Sequence, residues 1–101
     1  MDELRALADQ LDEASATLGA LARAVTATDP PQPAFGIHVP GRPGEIGRAL
    51  HRRWTEATGD RAREATVAAA RLSAAASTVR GVADRYAGVD DAARRRLGRE
   101  F

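Results

Sequence analysis

The stretch DPPQPAFGIHVPGRPG, Asp29 to Gly44, holds all five prolines of the chain and three of its nine glycines. Proline lacks an amide donor and pushes the residue before it away from helical geometry, so a helix arriving from the N-terminal side stops at Asp29. Pro43 suits the first turn of a new helix, with Glu45 just behind it where the macrodipole favours an acid. Two helices joined by so short a connector fold back as an antiparallel hairpin. Within the connector, Phe35, Ile37 and Val39 alternate with small or polar residues. A single strand would have nothing to pair with, so these three are expected to plug the end of the hairpin.

The flanking sequence has the matching periodicity. Leu4, Leu7, Leu11, Ala14, Leu18, Leu21 and Val25 recur at alternating steps of three and four, the seam of a left-handed coiled coil. This predicts helix one over about residues 2–28, a connector over about 29–43, and helix two over about 44–97. After Ile46, Leu50 and Trp54, helix two continues in a seam of Ala65, Ala68, Leu72, Ala75, Val79, Val82, Tyr86, Val89 and Ala93. Gly59, within Thr58-Gly59-Asp60, costs about 1 kcal/mol against alanine and marks a candidate kink. At about 1.5 Å per residue, helix one reaches about 40 Å and helix two about 70 Å, so residues 85–97 should project past the partner helix.

Helix two also carries alanine at 62, 69, 76 and 83. Read beside the first seam, this seven-residue repeat predicts a second helix-binding face, hence a dimer assembling into a four-helix bundle. The residues expected to meet a partner are Trp54, Leu72, Val79 and Val82. Four aromatics in 101 residues leave little large apolar material for a private core, which points the same way.

Charge narrows the functional classes. The net charge is +1, all 15 basic residues are arginine, and no cysteine occurs, which excludes disulfides and thiolate metal sites. Residues 1–28 carry five acids against Arg5 and Arg23, whereas residues 43–101 carry twelve arginines against eight acids, so an acidic arm is expected to lie along a basic one. The start, MDELRALADQLDEA, lacks the basic and apolar regions of a general secretory signal, and no run approaches the ~18 apolar residues of a membrane span.

Catalysis has little to rest on. His38 and His51 have no ligand spacing to another His, Asp or Glu, and the serines at 15, 73 and 77 fall on predicted helices. Neither an enzyme, a metal site nor a cofactor is expected. Arg94-Arg95-Arg96 with Arg99, aided by Arg52-Arg53, would offer phosphate contacts. Asp90, Asp91 and Glu100 are interspersed among them and no stacking aromatics accompany them, so a solvated helix end is the plainer account.

The segment ADRYAGVDDAARRRL, Ala83 to Leu97, sets Tyr86 one helical turn before Asp90. Tyr86 takes a seam position, so packing is its simplest role; on the projecting end of a hairpin it is also open to recognition. In this segment, and in its length and its helix, connector, helix plan, the chain resembles the EspC-like branch of the helical-hairpin proteins associated with ESX, or type VII, secretion in actinobacteria. Tyr86 and Asp90 match that family's motif of tyrosine, three residues, then Asp or Glu. Arg53-Trp54 is similar to its aromatic position early in helix two, although Thr55-Glu56 follows, so the Trp-x-Gly turn of related substrates is absent.

The resemblance implies a non-enzymatic type VII secretion substrate or co-substrate, exported as a folded dimer with itself or a related hairpin. Tyr86 and Asp90 would be the signal that the secretion ATPase or a chaperone reads. It also implies a location at the cell surface or outside it, reached without a signal peptide from the cytoplasm. Two other readings stand beside it: a helical adaptor that pairs with a larger toxin or effector for export, and a small Arg-rich nucleic-acid-binding protein.

Overall fold

The computed structural model describes residues 2–100; Met1, Phe101 and the side chain of Glu100 lie outside the described residues. The chain is all-α, a two-helix antiparallel hairpin. Helix α1 spans Asp2–Ala27, a short 3-10 turn spans Gln32–Phe35, and α2 spans Arg42–Glu100, 26, 4 and 59 residues respectively. α2 begins two residues earlier and ends three later than its pattern predicts, and it continues as helix through Thr58-Gly59-Asp60. The packing of the described residues divides into two compact units, residues 2–16 with 69–100 and residues 17–68.

In the first unit, contacts between the helices run in opposite directions along the two partners. Arg5 pairs with Asp84 at 2.9 Å, Arg80 with Asp9 at 2.8 Å and Asp12 at 2.6 Å, and the Ser15 hydroxyl donates to the Ala69 carbonyl at 2.7 Å. Ala8, Ala76 and Ala83 are completely buried. Around them Leu4, Leu11, Ser15, Ala69, Leu72 and Val79 are half-buried.

Leu4, Leu11, Leu72 and Val79 thus hold their predicted seam positions, whereas the positions between them lie one residue over from the leucine-rich pattern. Leu7, Ala14 and Ala75 are exposed, and so are Tyr86 and Val89. A three-and-four periodicity fits two adjacent frames, and the frame realised is the one whose every seventh residue is small. Ala8 and Ser15 on α1 meet Ala69, Ala76 and Ala83 on α2, and small side chains allow the backbones to approach closely. The approach is close enough for a serine side chain to reach the opposite backbone. The alanine repeat at 62, 69, 76 and 83 is thus the seam of the hairpin itself and not a second surface.

An alanine seam stabilises by helix propensity and close contact more than by apolar area, since alanine is the strongest helix former but removes little surface from water. No large side chain is fully buried in either unit among the described residues.

The second unit contains the turn. α1 ends where the Thr28 hydroxyl donates to the carbonyls of Ala24 and Val25 and the Asp29 amide bonds back to Thr26. Gly36 and Gly41 take positive φ of 68° and 79°, where a side chain would be strained. The connector then lies directly on the first turns of α2. A Cβ at Gly44 would fall on the Val39 carbonyl oxygen, and one at Gly47 on that of Phe35. The Arg48 guanidinium donates to the Ile37 carbonyl at 2.8 Å. Phe35 and Ile37 are half-buried, as expected of a plug, whereas Val39 is exposed. Ala22 on α1 and Ala62 on α2 continue the small-residue seam in this unit.

The glycine seats make a prediction. Gly47→Ala forces backbone to move and is expected to destabilise the chain by about 1–3 kcal/mol. Gly59→Ala, which meets only the flexible Arg63 guanidinium, should stabilise it by about 0.5–1 kcal/mol. Thermal unfolding followed by circular dichroism measures both.

Candidate signal and partner surfaces

Tyr86 and Asp90 sit where α2 is running out of partner. Arg5, near the start of α1, already pairs with Asp84, and Ala83 is the last fully buried residue of α2 among the described residues. Beyond it Tyr86 is 55% and Val89 62% exposed, and Asp90 is exposed. One turn apart on a helix, Tyr86 and Asp90 share a face. Among the described residues neither the phenol hydroxyl nor the Asp90 carboxylate has a hydrogen-bond or ion-pair partner. Tyr86 also lines an open groove of about 350 Å³ with Val82, Arg85 and Val89. A ring over an apolar groove, with a free carboxylate one turn further on, can make one packed and one charge-assisted contact.

Farther along α2, Arg94 pairs with Asp91 at 3.7 Å, three residues back. The four-residue spacings Asp90 to Arg94 and Asp91 to Arg95 are not used among the described residues. Arg95, Arg96 and Arg99 are exposed.

The first unit has two unlike flanks. Residues just before the small seam positions fall on one side of both helices in an antiparallel pair: Leu7 and Ala14 on α1, Ala75, Val82 and Val89 on α2. That flank is apolar. The other carries Arg5, Asp9, Asp12, Arg80 and Asp84, the ion pairs already described. Asp9 and Asp12 hold the Arg80 guanidinium protonated beyond an arginine's ordinary range, by hydrogen bonds first and charge second. The expected charge order, acidic α1 along basic α2, holds for Arg80 and is reversed for Arg5 with Asp84. All of these groups are substantially exposed, so solvent screening keeps the contribution of each pair small.

The four residues predicted to meet a partner separate. Leu72 and Val79 lie four residues before Ala76 and Ala83, so they share the face turned to α1. Val82 lines the groove beside Tyr86. Trp54 belongs to the second unit, where its indole donates to Asp29 Oδ1 at 3.0 Å and its ring stands 6.3 Å from that of Phe35. The Thr58 hydroxyl lies 3.2 Å from the other Asp29 oxygen. Trp54 thereby ties the end of α1 to α2 while 43% of it stays exposed. His51 packs edge-on to Phe35 at 5.2 Å and His38 is exposed in the connector, so both are accounted for by packing or solvent.

The Asp29 clasp and the two glycine seats escaped the sequence reading. Asp29 carried a signal only as the residue before proline, and glycines at 44 and 47 read as loop and helix punctuation.

No helix among the described residues is long and apolar enough to cross a membrane. Comparison with protein-family models, with curated proteins and with solved structures finds no match.

Proposed function

We propose that the chain is a non-enzymatic substrate or co-substrate of a type VII (ESX) secretion system. It moves as a folded helical dimer from the cytoplasm to the cell surface or beyond, and Tyr86 and Asp90 are its export signal. One observation carries the reading: a helical tyrosine and aspartate, one turn apart, stand exposed and, among the described residues, without hydrogen-bond or ion-pair partners on the stretch of α2 that outruns α1. A pair read by a secretion ATPase or chaperone must be available in the folded chain, as helix-in-groove recognition requires. Export of a tagged chain into the culture filtrate of a type VII-competent actinobacterial host tests the reading. It fails if the chain stays in the pellet while the host exports its own substrates.

The dimer contact we assign to the apolar flank of the first unit, with Leu7, Ala14 and Ala75 at its centre and Val82 at its edge, in place of the alanine repeat, so that Tyr86 and Asp90 stay open beyond it. The partner is a second copy or a related hairpin; a larger effector bearing such a hairpin would make this chain its adaptor. Val82→Asp should convert an associated species to monomer in sedimentation, because a charge without a partner is costly in an apolar contact. Helicity should persist, since Val82 lies outside the fully buried seam. An associated species unchanged by Val82→Asp would place the contact elsewhere.

A further inference from the structure

The second unit carries an apolar stripe that neither the hairpin seam nor the export reading uses. Ile46, Leu50 and Trp54 follow at four-residue steps on α2 and are 59%, 53% and 43% exposed. Exposure falls toward Trp54, the member that touches the connector. Val39, whose carbonyl rests on Gly44, adds a further exposed apolar side chain beside this helix start. The same stretch is locally basic. Residues 41–54 hold Arg42, Arg48, Arg52 and Arg53 against Glu45 alone, in a chain whose total charge is +1.

We infer that this connector end of the second unit docks on an anionic lipid surface, with Ile46, Leu50 and Trp54 entering the interface and Arg42 and Arg53 meeting the head groups. Three features favour lipid over other occupants. The stripe is short, about 12 Å at 1.5 Å per residue, and three side chains fall well below the roughly 800 Å² per partner of a stable protein interface. A lipid interface asks for no such area: an aliphatic and tryptophan face beside arginines binds through shallow insertion and charge together. Ile46 and Leu50 offer no ring on which a nucleic-acid base could stack. The arginines stand beside the stripe, where their long stems let the charge reach the phosphates while the apolar side chains enter. This docking is peripheral and stands apart from the export reading.

Trp54 is the chain's one tryptophan and reports its own environment. The test is its emission, together with co-sedimentation, for the full chain mixed with phosphatidylcholine vesicles with and without phosphatidylglycerol. The expected result is a blue shift and sedimentation with the anionic vesicles, weakened by salt and by Arg42→Gln with Arg53→Gln. Both should be lost in Ile46→Asp with Leu50→Asp while circular dichroism shows an intact helix. Three results would overturn the proposal. The first is no binding to anionic vesicles, and the second is equal binding to neutral ones or by the double Asp variant. The third is a blue shift that appears with rising protein concentration in the absence of lipid, which would mark a second copy of the chain as the occupant.

Discussion

Ala76→Leu and Ala83→Leu should each lower the stability of the folded chain by about 1–3 kcal/mol, because both sites are completely covered and extra carbons force the helices apart. In a domain of this size that corresponds to a fall in melting temperature of about 10 °C. Such a loss is large against the roughly 5–15 kcal/mol that a small domain possesses. Ser15 adds a reason for the effect: its hydrogen bond to the Ala69 carbonyl exists only while the backbones stay close. Ala75→Leu, one residue away, should change stability by no more than about 0.5 kcal/mol, since Ala75 is exposed. The two outcomes would exchange places if the seam followed Leu7, Ala14 and Ala75. Melting curves of Ala75→Leu and Ala76→Leu therefore decide the frame directly.

Tyr86→Ala and Asp90→Ala should each reduce export strongly and leave folding alone. Both side chains are exposed and make no hydrogen bond or ion pair among the described residues, so the stability change expected is within about 0.5 kcal/mol. Truncating an aromatic that anchors an interface costs about 2 kcal/mol or more, roughly a 30-fold loss of receptor occupancy. Tyr86→Phe keeps the ring over the groove of Val82, Arg85 and Val89 and removes only the hydroxyl. Comparing it with Tyr86→Ala measures how much of the recognition is packing. Gly88→Ala is the control between them: nothing lies within 4 Å of its added Cβ. That variant should strengthen the helix and export normally. A parallel loss of export in Gly88→Ala would mean that the signal is a flexible end and not a helical pair.

The hairpin was legible because its signals are local: five prolines in one stretch, and uninterrupted three-and-four patterns on either side. The seam was legible at Leu4, Leu11, Leu72 and Val79 and not at the positions between them. Counting apolar mass favours Leu7 and Leu21 over Ala8 and Ala22, yet close packing selects small residues where two backbones meet and leaves those leucines outside. The alanine repeat of α2 was visible and its meaning was inverted, since periodicity alone does not say which neighbour a face meets. Tyr86 followed from the same frame. Assigned to the seam by spacing, it is exposed because Ala83 and not Val82 points at α1, and because α1 gives out near Asp84. The Trp54 clasp depends on Asp29, 25 residues away in sequence, a separation that no pattern within a helix encodes. The basic apolar face at the start of α2 was hidden by averaging, because the acids of α1 cancel its charge in the total.

The most direct measurement is export of the tagged wild-type chain from two isogenic actinobacterial hosts, one with an intact type VII secretion ATPase and one in which that ATPase is inactivated. Filtrate and pellet are compared for each, beside a cytoplasmic marker for lysis. The account predicts the folded chain in the filtrate of the first host and its retention in the pellet of the second. Equal amounts in both filtrates, or retention in both pellets while the first host exports its own substrates, would contradict it.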